Sequence, residues 1–202
     1  MTALNQFLGA LDELMQQVEP SLAMIGDRRG GVGAGILVDQ GLLLTNYHVA
    51  GHSRSLQVIW EDGQPVEAHL VASDPNVDLA LLQVKPNGHK PAVLSDEKPR
   101  PGELVFAFGH PWGQRNVLTG GVLSAVTSAR GRHREVPILR ADVQLAPGNS
   151  GGPLLNSAGE VIGINAMIFG GDQSVAIPAS VIREFLEGAR RRMPAHQAEA
   201  VL

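Results

Sequence analysis

A serine hydroxyl is a poor nucleophile near neutral pH, and it needs an adjacent base held in the right tautomer by a third group. Three strings of the chain supply those parts. Pro147-Gly148-Asn149-Ser150-Gly151-Gly152-Pro153 sets a serine in a glycine-rich turn. Thr45-Asn46-Tyr47-His48-Val49-Ala50 offers a base, and Asp74-Pro75-Asn76-Val77-Asp78-Leu79-Ala80-Leu81 offers an acid. In this reading His48 takes the proton of Ser150 and Asp78 fixes the His48 ring. The glycines let the backbone turn tightly enough to aim amide groups at a developing oxyanion, with Gly148, Asn149 and Ser150 as the expected hole. The chemistry is acyl transfer, and the expected activity is that of a serine peptidase.

Taken singly, each residue has a blander explanation. A serine between glycines is more often a turn residue, and Asp78 before an apolar run could simply end a strand. Order is what discriminates. Gly148-Asn149-Ser150-Gly151-Gly152 also fits the nucleophile elbow of α/β-hydrolases, but that fold runs Ser, acid, His, whereas this chain runs His, Asp, Ser. After Ser150 the only histidine is His196, in a short tail beyond Pro194, a poor support for a positioned base. An esterase is therefore disfavoured.

These residues must be positioned by the elements between them. Leu4, Phe7, Leu8, Leu11, Leu14, Met15 and Val18 recur at steps of three and four, predicting an amphipathic helix over 1–18. It has two uses: packing on its own domain, or self-association. From Ser21 the period changes to short β-branched and leucine runs between Gly, Asp and Pro. Strands are expected at 21–25, 34–38, 42–45, 55–60, 65–73 and 79–84, then at 103–108, 116–127, 136–143, 153–156, 160–169 and 173–177. The proline-rich stretch near 86–101 reads as a surface linker. The expected fold is all-β: two six-stranded antiparallel barrels, about 19–85 and 102–178, within a protease domain spanning 19–187. Helices are expected at both ends. The second, 179–192, would open with Ser180 as N-cap and bury Val181, Ile182, Phe185, Leu186 and Ala189. Residues 193–202 read as a frayed tail. His48 and Asp78 fall in the first barrel and Ser150 in the second, so the site belongs in the cleft between them.

Composition narrows the classes. The chain has 202 residues, 44% of them hydrophobic, enough for a substantial core. With 16 basic and 20 acidic residues its net charge is −4, against the basic excess of nucleic-acid binders, so no nucleic-acid partner is expected. There is no cysteine, hence no disulfide and no thiolate metal site. His48 and His52 stand four apart but lack the glutamate of H-E-x-x-H, and His69, His89, His110 and His133 are scattered. No metal and no cofactor are expected. No apolar run approaches the length of a membrane span. A cytoplasmic setting follows if Met1 is the native start, and a periplasmic or other extracytoplasmic one if a signal segment was trimmed.

The chain resembles the HtrA (DegP-like) branch of the chymotrypsin-fold serine peptidases. The resemblance rests on Gly33 to Val38, Leu44 to Val49, Val77 to Leu82, Phe108 to Gly113, Gly120 to Ser124, Asp142, Pro147 to Leu155, Gly159 to Asn165 and Ala176-Ile177-Pro178. It implies a serine endopeptidase acting on unfolded or exposed polypeptide, with a chaperone-like peptide-binding module as the alternative. The family commonly assembles into trimers through N-terminal segments, so a homo-oligomer is expected. It commonly continues into PDZ domains, and regulation by such a domain is expected to be absent. Digestive relatives carry an aspartate before the nucleophile that pairs with a cut N-terminus. Neutral Asn149 cannot do so, which points to control by loop ordering. Gln144, six before the nucleophile, replaces the acid that attracts Lys or Arg in trypsin-like relatives. Asn165, Ala166 and Met167 should pair with the substrate backbone as an added strand. Ser174 and Val175, where the family has Gly-Phe, should fill the pocket floor and favour small aliphatic residues. Ala166 stands where relatives often carry a hydroxyl that supports the acid.

Overall fold

The computed structural model describes residues 2–27, 32–51, 56–85, 88–130, 134–169 and 173–193. His52, His133 and the 194–202 tail lie outside them, as do residues 170–172 of the loop before Ser174.

Twelve strands form two closed antiparallel barrels of six. The first contains β1 (Leu22–Asp27), β2 (Val32–Asp39), β3 (Leu42–Asn46), β4 (Leu56–Ile59), β5 (Pro65–Asp74) and β6 (Leu79–Val84), in the order β1-β2-β3-β6-β5-β4. The second contains β7 (Leu104–Gly109), β8 (Val117–Arg130), β9 (Glu135–Ala141), β10 (Pro153–Leu155), β11 (Val161–Phe169) and β12 (Gln173–Pro178), in the order β10-β11-β12-β9-β8-β7. Helix α1 (Ala3–Val18) precedes the barrels, α2 (Tyr47–Ala50) is a single turn after β3, and α3 (Ala179–Arg192) closes the chain.

The runs of apolar residues are continuous because both faces of the central strands are covered. Side chains alternate along a strand, so Leu43, Leu37, Ala80 and Leu82 point into the first barrel. Their neighbours Ile36, Leu42, Leu44, Leu79 and Leu81 join Phe106, Phe108, Ile164 and Ile177 in a core shared by the two barrels. Val105, Ala107, Leu139, Ile162 and Ala176 fill the second barrel. A fully buried leucine or phenylalanine contributes about 1.5–3 kcal/mol, so this shared layer fixes the relative position of the barrels.

The linker also runs against both. Ala92 N–H donates to Leu37 O at 2.8 Å, while Val161 N–H donates to Val93 O at 2.8 Å and Ser95 N–H to Val161 O at 2.9 Å. Helix α3 buries the face expected of it, Val181, Ile182, Phe185, Leu186 and Ala189. Its start differs: Pro178 occupies the N-cap without a side-chain cap, and Ser180 lies inside the helix. The fixed φ of Pro178 already sets the entry, and its missing N–H costs nothing there. Helix α1 divides its face. Leu14 and Val18 are buried in the shared core, whereas Leu4, Phe7 and Leu8 are exposed.

Candidate functional site

The expected base and acid come from adjacent turns of the first barrel. β3 ends at Asn46, and His48 sits in the helical turn α2 rather than at a strand end. Asp78 closes the turn after β5, where Asn76 caps the Asp74 carboxylate through both its backbone and side-chain nitrogens (2.8 and 3.0 Å). Asp78 adopts φ 56°, a left-handed conformation that Asp tolerates better than most residues. Its carbonyl accepts from Tyr47 N–H at 3.0 Å and Asn46 Nδ2 at 3.1 Å. One carboxylate oxygen accepts the His48 N–H at 2.9 Å, and the other lies 2.7 Å from His48 Nδ1. The carboxylate thus holds the proton on Nδ1 and leaves Nε2 as an acceptor.

Ser150 comes from the second barrel but is held by the first. Ala34 N–H donates to the Ser150 carbonyl at 2.8 Å, and the Thr45 hydroxyl, fully buried, donates to Ala34 O at 2.7 Å. Gly151, at φ 86°, packs so closely on Ala34 O and Thr45 Oγ1 that a Cβ would overlap both. Glycine is required there on both counts. From the other side, Gly151 N–H donates to Asn165 O and Asn165 N–H donates to Gly152 O, both at 2.9 Å.

The hydroxyl of Ser150 donates to Ala166 O at 2.9 Å. Among the described residues no hydrogen bond joins it to His48, so a rotation about its χ1 separates this arrangement from proton transfer. The Ala166 carbonyl is available because β11 carries a register shift between Asn165 and Met167. The N–H groups of Gly148 and Ser150 make no hydrogen bond among the described residues, which leaves both able to serve an oxyanion. Asn149 departs from the expectation. Its N–H is taken by Ala146 O at 3.0 Å, and its buried side chain lies against Gly109 with Oδ1 unpartnered among the described residues.

The expected substrate contacts separate. Asn165 has its backbone bonded to Gly151 and Gly152 of the turn that carries Ser150, and its Nδ2 to Pro153 O at 2.8 Å. Pairing with β10 stops at Ile164, leaving the edge of β11 beyond it, through Ala166 and Met167, for an added strand. Ser174 and Val175 fall on opposite faces of β12. Ser174 is buried with its hydroxyl on Val143 O at 2.5 Å, so it does not share a pocket floor with Val175. Gln144 is exposed, and its carbonyl accepts from Thr119 Oγ1 at 3.0 Å. Ala34, Thr45 and Asn46 were not singled out as site residues. Two polar residues ending the apolar run of β3 are the signal that marks the last two.

Residues 33–164 match the trypsin-like peptidase domain. The chain belongs to this family, in its HtrA branch. It is 38% identical over 174 residues to Serine protease HTRA1 of Xenopus tropicalis, covering 82% of this chain and 37% of that protein. It is 37% identical over 171 residues to a probable periplasmic serine endoprotease, DegP-like, of Halomonas elongata, covering 81% of this chain and 36% of that protein. The chain therefore spans little more than a third of these relatives. A serine endoprotease structure from Yersinia pestis superposes with a TM-score of 0.80 at 29% identity, covering 90% of this chain and 66% of that one. An M. tuberculosis protein in an inactive form gives 0.82 at 24% identity, with 90% and 92% covered, which speaks for the fold alone. Among the described residues no group of three or more His, Cys, Asp or Glu is placed to hold a metal ion, and no helix is long and apolar enough to cross a membrane.

Proposed function

We propose that the chain is a serine endopeptidase that cleaves unfolded or exposed polypeptide through an acyl-enzyme. The observation that carries this reading is the 2.7 Å contact of His48 Nδ1 with Asp78 beside a serine seated on the same barrel wall. Ser150 Oγ turns from Ala166 O toward His48 Nε2 and attacks the scissile carbonyl as its proton passes to Nε2. The N–H groups of Gly148 and Ser150 receive the oxyanion. The proton then leaves with the amine, and a water, deprotonated by His48, releases the acid and restores the serine. Turning the hydroxyl away also frees the Ala166 carbonyl for the backbone N–H of a substrate strand. A small aliphatic preference before the scissile bond remains the expectation, since Gln144 brings no charge to attract Lys or Arg. The exposed Leu4, Phe7 and Leu8 favour a homo-oligomer, a trimer by the family's habit. The DegP-like relatives named as periplasmic favour an extracytoplasmic setting.

A fluorophosphonate probe is expected to label the wild type and not Ser150→Ala. Casein cleavage should be lost in His48→Ala, Asp78→Asn and Ser150→Ala with the far-UV spectrum kept. Because the three act as a unit, His48→Ala/Ser150→Ala should be little worse than either single change. Near-native cleavage by Ser150→Ala would refute the assignment, and failure of the wild type both to label and to cleave would favour the peptide-binding alternative.

A further inference from the structure

The loop between β7 and β8, His110 to Asn116, has one end on the nucleophile turn and the other on the first barrel. At the first end, Trp112 N–H donates to Pro147 O at 2.7 Å and His110 N–H to Gly148 O at 3.2 Å. The backbone of Gly148, at φ 108°, packs so tightly on the His110 carbonyl that no side chain fits between them. At the other end, Arg115 Nη1 donates to the carbonyls of Trp60 and Glu61, at 3.3 and 3.1 Å, in the turn between β4 and β5. Asn116 Nδ2 donates to the Glu19 carboxylate, and Asn116 N–H donates to His110 Nδ1 at 3.2 Å. Trp112 holds a φ of 55°, which a bulky residue keeps only when its surroundings over-determine it, and Asn116 holds 56°, which Asn tolerates.

We infer that Arg115 is a positioning residue for the oxyanion hole: by gripping the Trp60–Glu61 carbonyls it holds the His110–Asn116 loop, and through it Pro147 and Gly148, in place. Arg115 touches neither substrate nor the reacting atoms. Its guanidinium ties two backbone carbonyls of one barrel to the loop that clamps the oxyanion turn of the other. Both bonds leave Nη1, whose two hydrogens are fixed in the guanidinium plane, whereas a Lys carries its donors on a flexible stem that must be ordered to hold them there. Without the grip the loop can relax its left-handed Trp112, and the Gly148 amide loses its aim at the tetrahedral intermediate. The substrate strand, bound along β11, would be held as before. The inference rests on the peptidase reading for its kinetic arm only.

The kinetic arm measures cleavage of a fluorogenic peptide by wild type, Arg115→Ala and Arg115→Lys. Part of an oxyanion donor's contribution is at stake, so kcat should fall about tenfold in Arg115→Ala with KM within about twofold. Affinity for a peptide boronate, which places an oxygen in the hole, should fall by the same factor, and Arg115→Lys should recover part of both. The second arm reads amide hydrogen exchange of the intact proteins without any need for turnover. Protection at Asn149, Gly151 and Gly152 should fall in Arg115→Ala. A rise in KM at constant kcat would overturn the inference. So would unchanged protection across 145–152 when only residues 60–63 and 113–116 loosen. If the wild type proves unable to cleave or label, the peptidase reading fails, and exchange alone decides whether Arg115 orders the turn.

Discussion

At the residue scale, burial accounts for the chemistry of one histidine that the catalytic reading leaves aside. His110 is buried, accepts a hydrogen bond at Nδ1, and among the described residues has no partner in hydrogen-bond geometry at Nε2. Desolvation, then the nearby positive charge of Arg115, lowers its pKa from 6.5 to about 4, with the Ala23 backbone opposing weakly. Between those values the unfolded chain binds a proton that the folded chain refuses. Stability therefore falls as pH drops from about 6.5 to about 4, and the effect levels off below. The ceiling is about 3 kcal/mol at 1.36 kcal/mol per pKa unit. Urea midpoints from pH 7 to 4 should fall more steeply for the wild type than for His110→Asn, which cannot titrate. Parallel slopes would show that His110 is protonated in the folded chain. This role was not legible in the sequence, where His110 looked like a loop residue, because the residues that enclose it include Glu19, Leu22 and Trp60, remote in the chain. The pairing of His48 with Asp78 was legible, since glycine-rich turns and residue order survive without coordinates. The resting direction of the Ser150 hydroxyl was not, because it depends on a bulge that frees one carbonyl of β11.

At the scale of elements, β2 and β3 form the platform on which the nucleophile turn sits. The sequence announced these strands through alternation and announced the turn through its glycines, but the docking of one on the other is a contact across more than a hundred residues. Gly151→Ala tests it. A Cβ there collides with Ala34 O and Thr45 Oγ1, and a left-handed φ adds strain. A displacement of the serine by about 1 Å costs on the order of 10²-fold in rate, so phosphonate labelling should slow by at least about that factor while both barrels stay folded. Labelling at the wild-type rate would show that the turn is free of the platform. Ser174 and Val175 were expected on one floor, although the strand period alone sends adjacent residues to opposite faces.

At the scale of the whole molecule, α1 shows why the sequence left two uses of the helix open. Its two ends differ in burial, and only the packing use is seen directly. Its last turns complete the shared core through Leu14 and Val18, and Gln17 reaches Ala158 O at 3.3 Å. Its first turns present Leu4, Phe7 and Leu8 outward at 64%, 48% and 50% exposure. Deleting 1–18 would confound the two, so the assembly is better tested by replacing those three residues with glutamine. Light scattering should show the unmodified chain above monomer mass and the triple variant shifted toward monomer, with the far-UV spectrum unchanged. A monomer in both would leave the outward face without a partner copy. The layer of leucines and phenylalanines between the barrels, with a linker hydrogen-bonded to each, carries a further consequence. Each barrel has an interior of its own, but its side of the shared layer is covered only by the other, so the covalent join is a convenience rather than a necessity. Two fragments divided in the 86–101 stretch and produced together should find each other, melt in one transition, and regain the nucleophile's reactivity only in the reassembled pair.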